Sequence, residues 1–289
     1  MKRFIVPILA LMFLPAAVHA DITFTMKDGK VVTVKSLRRQ GDTLMGTVEM
    51  APAEAGKPAQ TGELGYPVSQ VLKIDFPEPS QLKTAGELIA NAKFADALTQ
   101  LEPVLKYYEG FRDAPGSWWA DAALLKVQAL IIQGKDSDAQ PIIQQIFRMA
   151  SDPETTAAAK ALSAASMVRK GNAAKALEIC NSVLKESSRP ETLAQAYVTA
   201  GQAHLVLKEW DPALLAFLEI PVFYPDDKVL YPQSMLGSGQ AYEALQDFNR
   251  AKLTLNELIS KYAATSEAEQ AKTELAKIAR TEKALDLVK

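Results

Sequence analysis

The chain has 289 residues, with 32 Lys and Arg against 34 Asp and Glu, a net charge of −2 and 48% hydrophobic residues. That length allows one or two domains, and the near-neutral, slightly acidic balance argues against the basic surface on which nucleic-acid binding rests. The single cysteine, Cys180, excludes an internal disulfide, so packing alone must hold the fold together.

The first twenty residues read MKRFIVPILALMFLPAAVHA. Lys2 and Arg3 form a basic start, Phe4 to Ala17 an apolar run, and Val18-His19-Ala20 a small-residue exit. This is the pattern of a secretory signal peptide over residues 1–20, cleaved after Ala20. The apolar run is interrupted by Pro7 and Pro15 and is shorter than the roughly 18–20 residues of a spanning helix, so an uncleaved anchor is the weaker reading. No cysteine follows the exit to carry a lipid. The mature chain would carry 30 basic against 34 acidic side chains and no further stretch able to span a bilayer. It is expected to be exported, to a periplasm or an envelope surface.

From Asp21 to Pro77 the hydrophobic pattern has period two. In ITFTMKDGKVVTVKSL, Asp28-Gly29 sits between two alternating runs, a tight-hairpin signal because both positions tolerate positive φ. GDTLMGTVEM reads as a third strand, GELGYPV as a fourth and QVLKIDF as a fifth. The polar, Pro- and Gly-containing stretch at residues 51–62 reads as an exposed loop. Five short strands in residues 21–77 resemble a small SH3-like or Sm-like β-barrel. Its aromatic residues, Phe24, Tyr66 and Phe76, do not spell a peptide groove, and the module reads as a structural cap on the repeats.

After FPEPS the pattern becomes helical and stays so. Pro77 and Pro79 stiffen the junction, and Ser80 reads as the first N-cap. Residues 78–264 contain a repeat. Ala97, Ala139, Ala176, Ala213 and Ala251 recur at the same place, at intervals of 42, 37, 37 and 38 residues, near the 34 of one helix-turn-helix unit with longer turns. Twelve residues before four of them stand Ala85, Ala164, Gly201 and Gly239, where small side chains let paired helices approach; Val127 takes that place in the second unit. Asp152-Pro153 and Asp211-Pro212 each read as an N-cap followed by a first-turn proline. Residues 265–289, apolar on one face and charged elsewhere, read as a helix that closes the stack.

These residues resemble the tetratricopeptide repeat family. The fourth unit carries the resemblance best, with Tyr197, Gly201, Ala213, Phe217 and Pro225 in the aromatic, glycine, alanine, aromatic and turn-proline places. The fifth has Gly239, Tyr242, Ala251 and Leu255, but Ala263 where the turn proline would stand. The stretch from Phe223 to Leu275 is similar to repeats of periplasmic Tol-Pal accessory proteins and outer-membrane assembly lipoproteins, and residues 80–189 match more loosely. The resemblance implies a mainly α fold, an α-solenoid of about five helix pairs and a capping helix. It also implies a concave groove lined by the first helix of each pair. In that register the groove presents Leu124, Gln128, Ile131, Gln195, Gln202, Leu205, Gln233, Leu236 and Gln240. These form an apolar and amide surface suited to a peptide or helix partner, unless they only pack against the neighbouring unit.

Little in the chain spells chemistry. Beyond the leader the one histidine is His204, expected to pack in the repeat core. A Cys180–His204 pair could serve a thiol enzyme, but no orienting third group or oxyanion site accompanies it. One cysteine and one histidine cannot complete a structural zinc site, no Gly-rich phosphate loop follows a strand, and no cofactor is implied. Acidic pairs such as Asp226-Asp227 read as caps of following helices. A second candidate surface is YYEGFRDAPGSWW, where Tyr107, Tyr108, Phe111, Trp118 and Trp119 flank a Pro-Gly turn. They either anchor a partner or a sugar ring, or seal the longer turn. The sequence thus reads as an exported, non-enzymatic interaction scaffold for a protein or peptide of the cell envelope. The alternatives are a self-assembling structural protein and, behind it, the thiol enzyme.

Overall fold

A computed structural model describes residues 22–50, 60–150 and 152–286. The leader at residues 1–20, most of the loop at 51–62 and the last residues of the closing helix lie outside the described residues. The chain divides after Pro77 into two compact units.

The described residues of the first unit form β1 (Ile22–Met26), β2 (Val31–Val34), β3 (Ser36–Gln40), β4 (Thr43–Met50), β5 (Gln60–Pro67) and β6 (Val71–Asp75). The β1–β2 hairpin turns at Asp28-Gly29, with Gly29 at φ +86° and the Asp28 carboxylate accepting from the Lys30 N–H at 3.0 Å. Two expectations need correction. Among the described residues there are six strands, since Ser36–Gln40 pairs with β4 although only Leu37 among its residues is buried. Among the described residues the strands also form two three-stranded antiparallel sheets, β2-β1-β6 and β3-β4-β5, and no closed barrel. The cause is local: β6 returns to β1, with Phe24 opposite Ile74, and the chain leaves one sheet for the other at Lys35. Alternation places Phe24, Val34 and Leu44 in the core, and Val71 and Ile74, three residues apart on β6, both reach it across the register shift at Thr25/Met26.

The second unit is helical, with α1 (Ser80–Ala90), α2 (Phe94–Tyr108), α3 (Trp119–Ile132), α4 (Asp136–Met149), α5 (Pro153–Arg169), α6 (Ala173–Glu186), α7 (Pro190–Val206), α8 (Trp210–Phe223), α9 (Leu230–Ala244), α10 (Phe248–Lys261) and α11 (Ser266–Asp286). Consecutive helices pack as five hairpins, α1/α2 to α9/α10, and α11 closes the array on α9 and α10. The first helix of each hairpin also packs on the first helix of the next, from α1 through α3, α5, α7 and α9 to α11. These helices therefore form a continuous layer, with buried residues around most of the circumference of α5, α7 and α9.

All five hairpins turn in the same way. Ala92, Gly134, Gly171, Lys208 and Gln246 have φ between 56° and 82°. Each N–H bonds back three residues, and the N–H that follows bonds back five, for example Lys208 to Leu205 O at 3.1 Å and Glu209 to His204 O at 2.9 Å. This paired bond satisfies carbonyls that a helix end leaves orphaned. The next helix starts two residues after the left-handed residue, and the repeat alanine lies five residues after it. Ala97, Ala139, Ala176, Ala213 and Ala251 are all fully buried, and the N–H of each closes the first turn of its helix.

That geometry corrects two caps. Helix α8 starts at Trp210 behind the Lys208 turn, so Asp211 and Pro212 fall inside its first turn and Glu209 is the cap. Ser80 is the first residue of α1, behind Pro79, and its carbonyl accepts from Thr84 Oγ1. Asp152 does cap α5, accepting from Glu154 N at 3.3 Å and Thr155 N at 2.9 Å, with Pro153 next. Asp227 caps α9 through Val229 and Leu230 N–H at 2.9 and 2.8 Å. At the junction before α7, Glu154 accepts from the Ser187 and Ser188 hydroxyls and the Ser188 N–H, which hold its carboxyl down at about 2.

Small residues sit where helices touch. A Cβ on Gly201 would lie 2.7 Å from the Phe217 ring, one on Gly237 2.2 Å from the same ring, and one on Gly239 2.5 Å from Leu255. Phe217 is fully buried between the fourth and fifth hairpins and cannot swing aside.

Two stability measurements check this account. Gly237→Ala should lower unfolding free energy by about 1–3 kcal/mol through overpacking, read by chemical denaturation. At the turns the sign depends on the residue present: Gln246→Gly should stabilise and Gly171→Ala destabilise, each by about 1 kcal/mol, because a Cβ is disfavoured at left-handed φ. Equal signs for both would remove the turn argument.

Candidate binding groove

The layer of first helices carries a concave face. A cavity of about 620 Å³ is lined by Gln128 and Ile131 from α3, Gln195, Gln202 and Leu205 from α7, and Gln233, Leu236 and Gln240 from α9. These are eight of the nine residues projected from sequence. The ninth, Leu124, lines a neighbouring cavity of about 390 Å³ that shares Gln128, Leu162 and Gln195 with the first. Together they make one groove of a size usual for ligand sites.

Sequence reading missed what lies between α3 and α7. Helix α5 contributes Ala158, Leu162, Ala165, Val168 and Arg169, and α11 contributes Ser266, Glu267 and Gln270. A signal existed: 37 residues before Gln195, Gln202 and Leu205 stand Ala158, Ala165 and Val168, and 37 before Ala165 and Val168 stand Gln128 and Ile131. Because α5 is rich in alanine and serine all round, its groove face does not stand out by side-chain size.

The two ends of the groove differ in charge. In the larger cavity the charged side chains are Arg169 and Glu267, and Arg169 is committed to Asp136, with Nε 3.0 Å from Oδ2. The smaller cavity has leucine walls but also Glu78, Lys83, Asp121, Arg189 and Glu191, so the projection of few charges fails at that end. Burial raises the Asp121 carboxyl, opposed by the Arg189 charge and assisted by Asp152 and Glu78. Arg189 itself is 3.4 Å from Asp152 Oδ2.

The aromatic insert mostly seals a turn. Tyr108, Phe111 and Trp119 are buried, with Arg112 5.9 Å above the Trp119 ring. Tyr107, 52% exposed, meets Tyr108 edge-on at 4.8 Å. Trp118 alone of the five lines the groove, in the smaller cavity. In the first unit Phe24 and Phe76 are buried, and Tyr66 stacks edge-on against Phe24 at 4.8 Å.

His204 corrects a further expectation. It is half-buried at the end of α7 and not in the core, with Nδ1 2.6 Å from Glu209 Oε2 across the hairpin turn. Cys180 is buried among alanines and Val183 of the third and fourth hairpins, and burial pushes its thiol up to about 12. Among the described residues the two form no hydrogen bond with each other, and no group of three His, Cys, Asp or Glu could hold a metal ion. No described helix is long and apolar enough to cross a membrane.

Compared with known proteins, the chain matches no family model and no curated protein.

The raised thiol predicts inertness. At pH 8, far below about 12, Cys180 should resist iodoacetamide in the native protein and react only on unfolding, followed by intact mass. Rapid native alkylation would restore the thiol as a candidate nucleophile.

Proposed function

We propose that this protein is an exported, non-enzymatic scaffold of tetratricopeptide type, an α-solenoid whose concave face binds a peptide segment of a cell-envelope protein. What supports the reading most is the convergence of Gln128, Ile131, Gln195, Gln202, Leu205, Gln233, Leu236 and Gln240 on one cavity. Residues projected only from repeat register thus come together as a concave surface. The five identical turns and the fully buried repeat alanines support a repeated unit stacked in one direction. A preformed groove needs little ordering on association, so more of the contact energy remains as affinity. The leader pattern and the resemblance to envelope proteins supply the setting.

One observation favours self-assembly as a second reading. Helix α8 is apolar around its circumference, yet Leu215, Val222 and Phe223 are 68%, 65% and 65% exposed. A helix apolar on all sides is usually covered. Sedimentation velocity over a concentration series, with Leu215→Glu beside the wild type, tests this reading.

For the groove, a photo-crosslinking residue at Gln202 should capture an envelope protein, and the same residue at Lys175, exposed on α6, should not. Equal capture from both positions, or none from Gln202, would reject the groove as the working surface.

A further inference from the structure

We infer that the groove takes an extended, uncharged peptide segment and reads its backbone through a ladder of glutamine amides; this rests on the groove reading above. Six glutamines line the larger cavity: Gln128, Gln195, Gln202, Gln233, Gln240 and Gln270. A carboxamide carries one acceptor oxygen and two N–H donors, the same kinds of group that a peptide bond presents.

Three of these amides are held in place by the fold. Nε2 of Gln195 donates to Thr199 Oγ1 at 3.0 Å, that of Gln233 to Val229 O at 3.4 Å, and that of Gln240 to Glu274 Oε1 at 3.0 Å. Each keeps its carbonyl oxygen as an acceptor. Gln195 is only 9% exposed, so that acceptor has little access to bulk water. Gln128, Gln202 and Gln270 make no hydrogen bond to the protein among the described residues and offer both donor and acceptor.

Charge decides what kind of segment fits. Arg169 is spent on Asp136, and Glu267 accepts from Ser266 Oγ at 3.1 Å near the α11 end. An acidic side chain entering the amide region would lose hydration without gaining a counter-charge, and a basic one would find only Glu267, at the α11 end. An uncharged one would lose little.

Backbone chemistry then selects conformation. A helix satisfies its own N–H and C=O groups and offers only side chains, which leaves the amides unanswered. An extended segment has both groups unpaired. The glutamines are also spaced for it: Gln195 and Gln202 repeat 38 residues on as Gln233 and Gln240. The seven-residue offset between the members of a pair spans about 10.5 Å of helix, or about three residues of extended chain. Recognition of this kind tolerates sequence variation and depends little on salt.

A random dodecapeptide phage library selected on the full chain tests this, with binders counter-selected on a Gln202→Arg, Leu205→Glu, Gln240→Arg variant. Winning peptides are then measured by fluorescence anisotropy against wild type and against Gln128→Met, Gln202→Met, a pair that removes no bond within the protein. The expected winners are uncharged, weaken about tenfold or more on the methionine pair, and lose a similar factor when a central peptide nitrogen is methylated. Groove-dependent winners that carry clustered charge, or that bind the methionine pair and the methylated peptide undiminished, overturn the amide reading and leave the groove standing. If no peptide depends on the groove, both readings fall.

Discussion

Every hairpin in the second unit depends on one constraint, a chain reversal in which a left-handed residue is followed five positions later by a fully buried alanine. The reversal sets where the next helix begins, and the alanine sets how closely it approaches. Three of the five left-handed residues carry a side chain, at Ala92, Lys208 and Gln246. Such a conformation persists only when its surroundings over-determine it. Here two backbone bonds per turn and the packing of the alanine do so, which is why the same reversal survives with glycine, alanine, lysine or glutamine at its centre.

This explains what could be read from the residues and what could not. The alanine intervals are visible because close approach admits no larger side chain, and Gly201 and Gly239 are visible for the same reason; Gly237, which the repeat register does not mark, is not. The left-handed positions are hidden, since only Gly134 and Gly171 announce themselves. Asp211-Pro212 therefore looks like a helix start, although the turn at Lys208 has already placed the start at Trp210. His204 was misplaced similarly: its carbonyl and imidazole both serve the turn through Glu209. In the β unit, Ser36–Gln40 escaped because a strand that buries one residue has no alternation to detect.

The groove follows from the same periodicity. First helices touch two neighbouring first helices as well as second helices, so most of their surface is spoken for and the one remaining face is shared along the layer. Residues at that face inherit the 37- and 38-residue intervals. In α7 and α9 they are glutamines and leucines, which stand out against small core residues. In α5 they are Ala158, Ala165 and Val168, indistinguishable from the alanines that pack the interior. Those small side chains also give the face its depth, because a large residue at 158 or 165 would fill the middle of the groove.

Charge is distributed in a way that matters for association. Ion pairs such as Lys160 with Glu186 and Lys252 with Glu282 join helices without lining either cavity. The larger cavity is nearly neutral, whereas the smaller one combines leucine walls with five charged residues. Long-range steering requires a field of one sign, and three acidic against two basic side chains leave the smaller cavity only a weak one. Along the amide face, encounter should run at the unsteered rate, and selectivity must reside in how long a segment stays. An amide ladder meets that requirement, since its hydrogen bonds form only after water has left and the backbone has come into register.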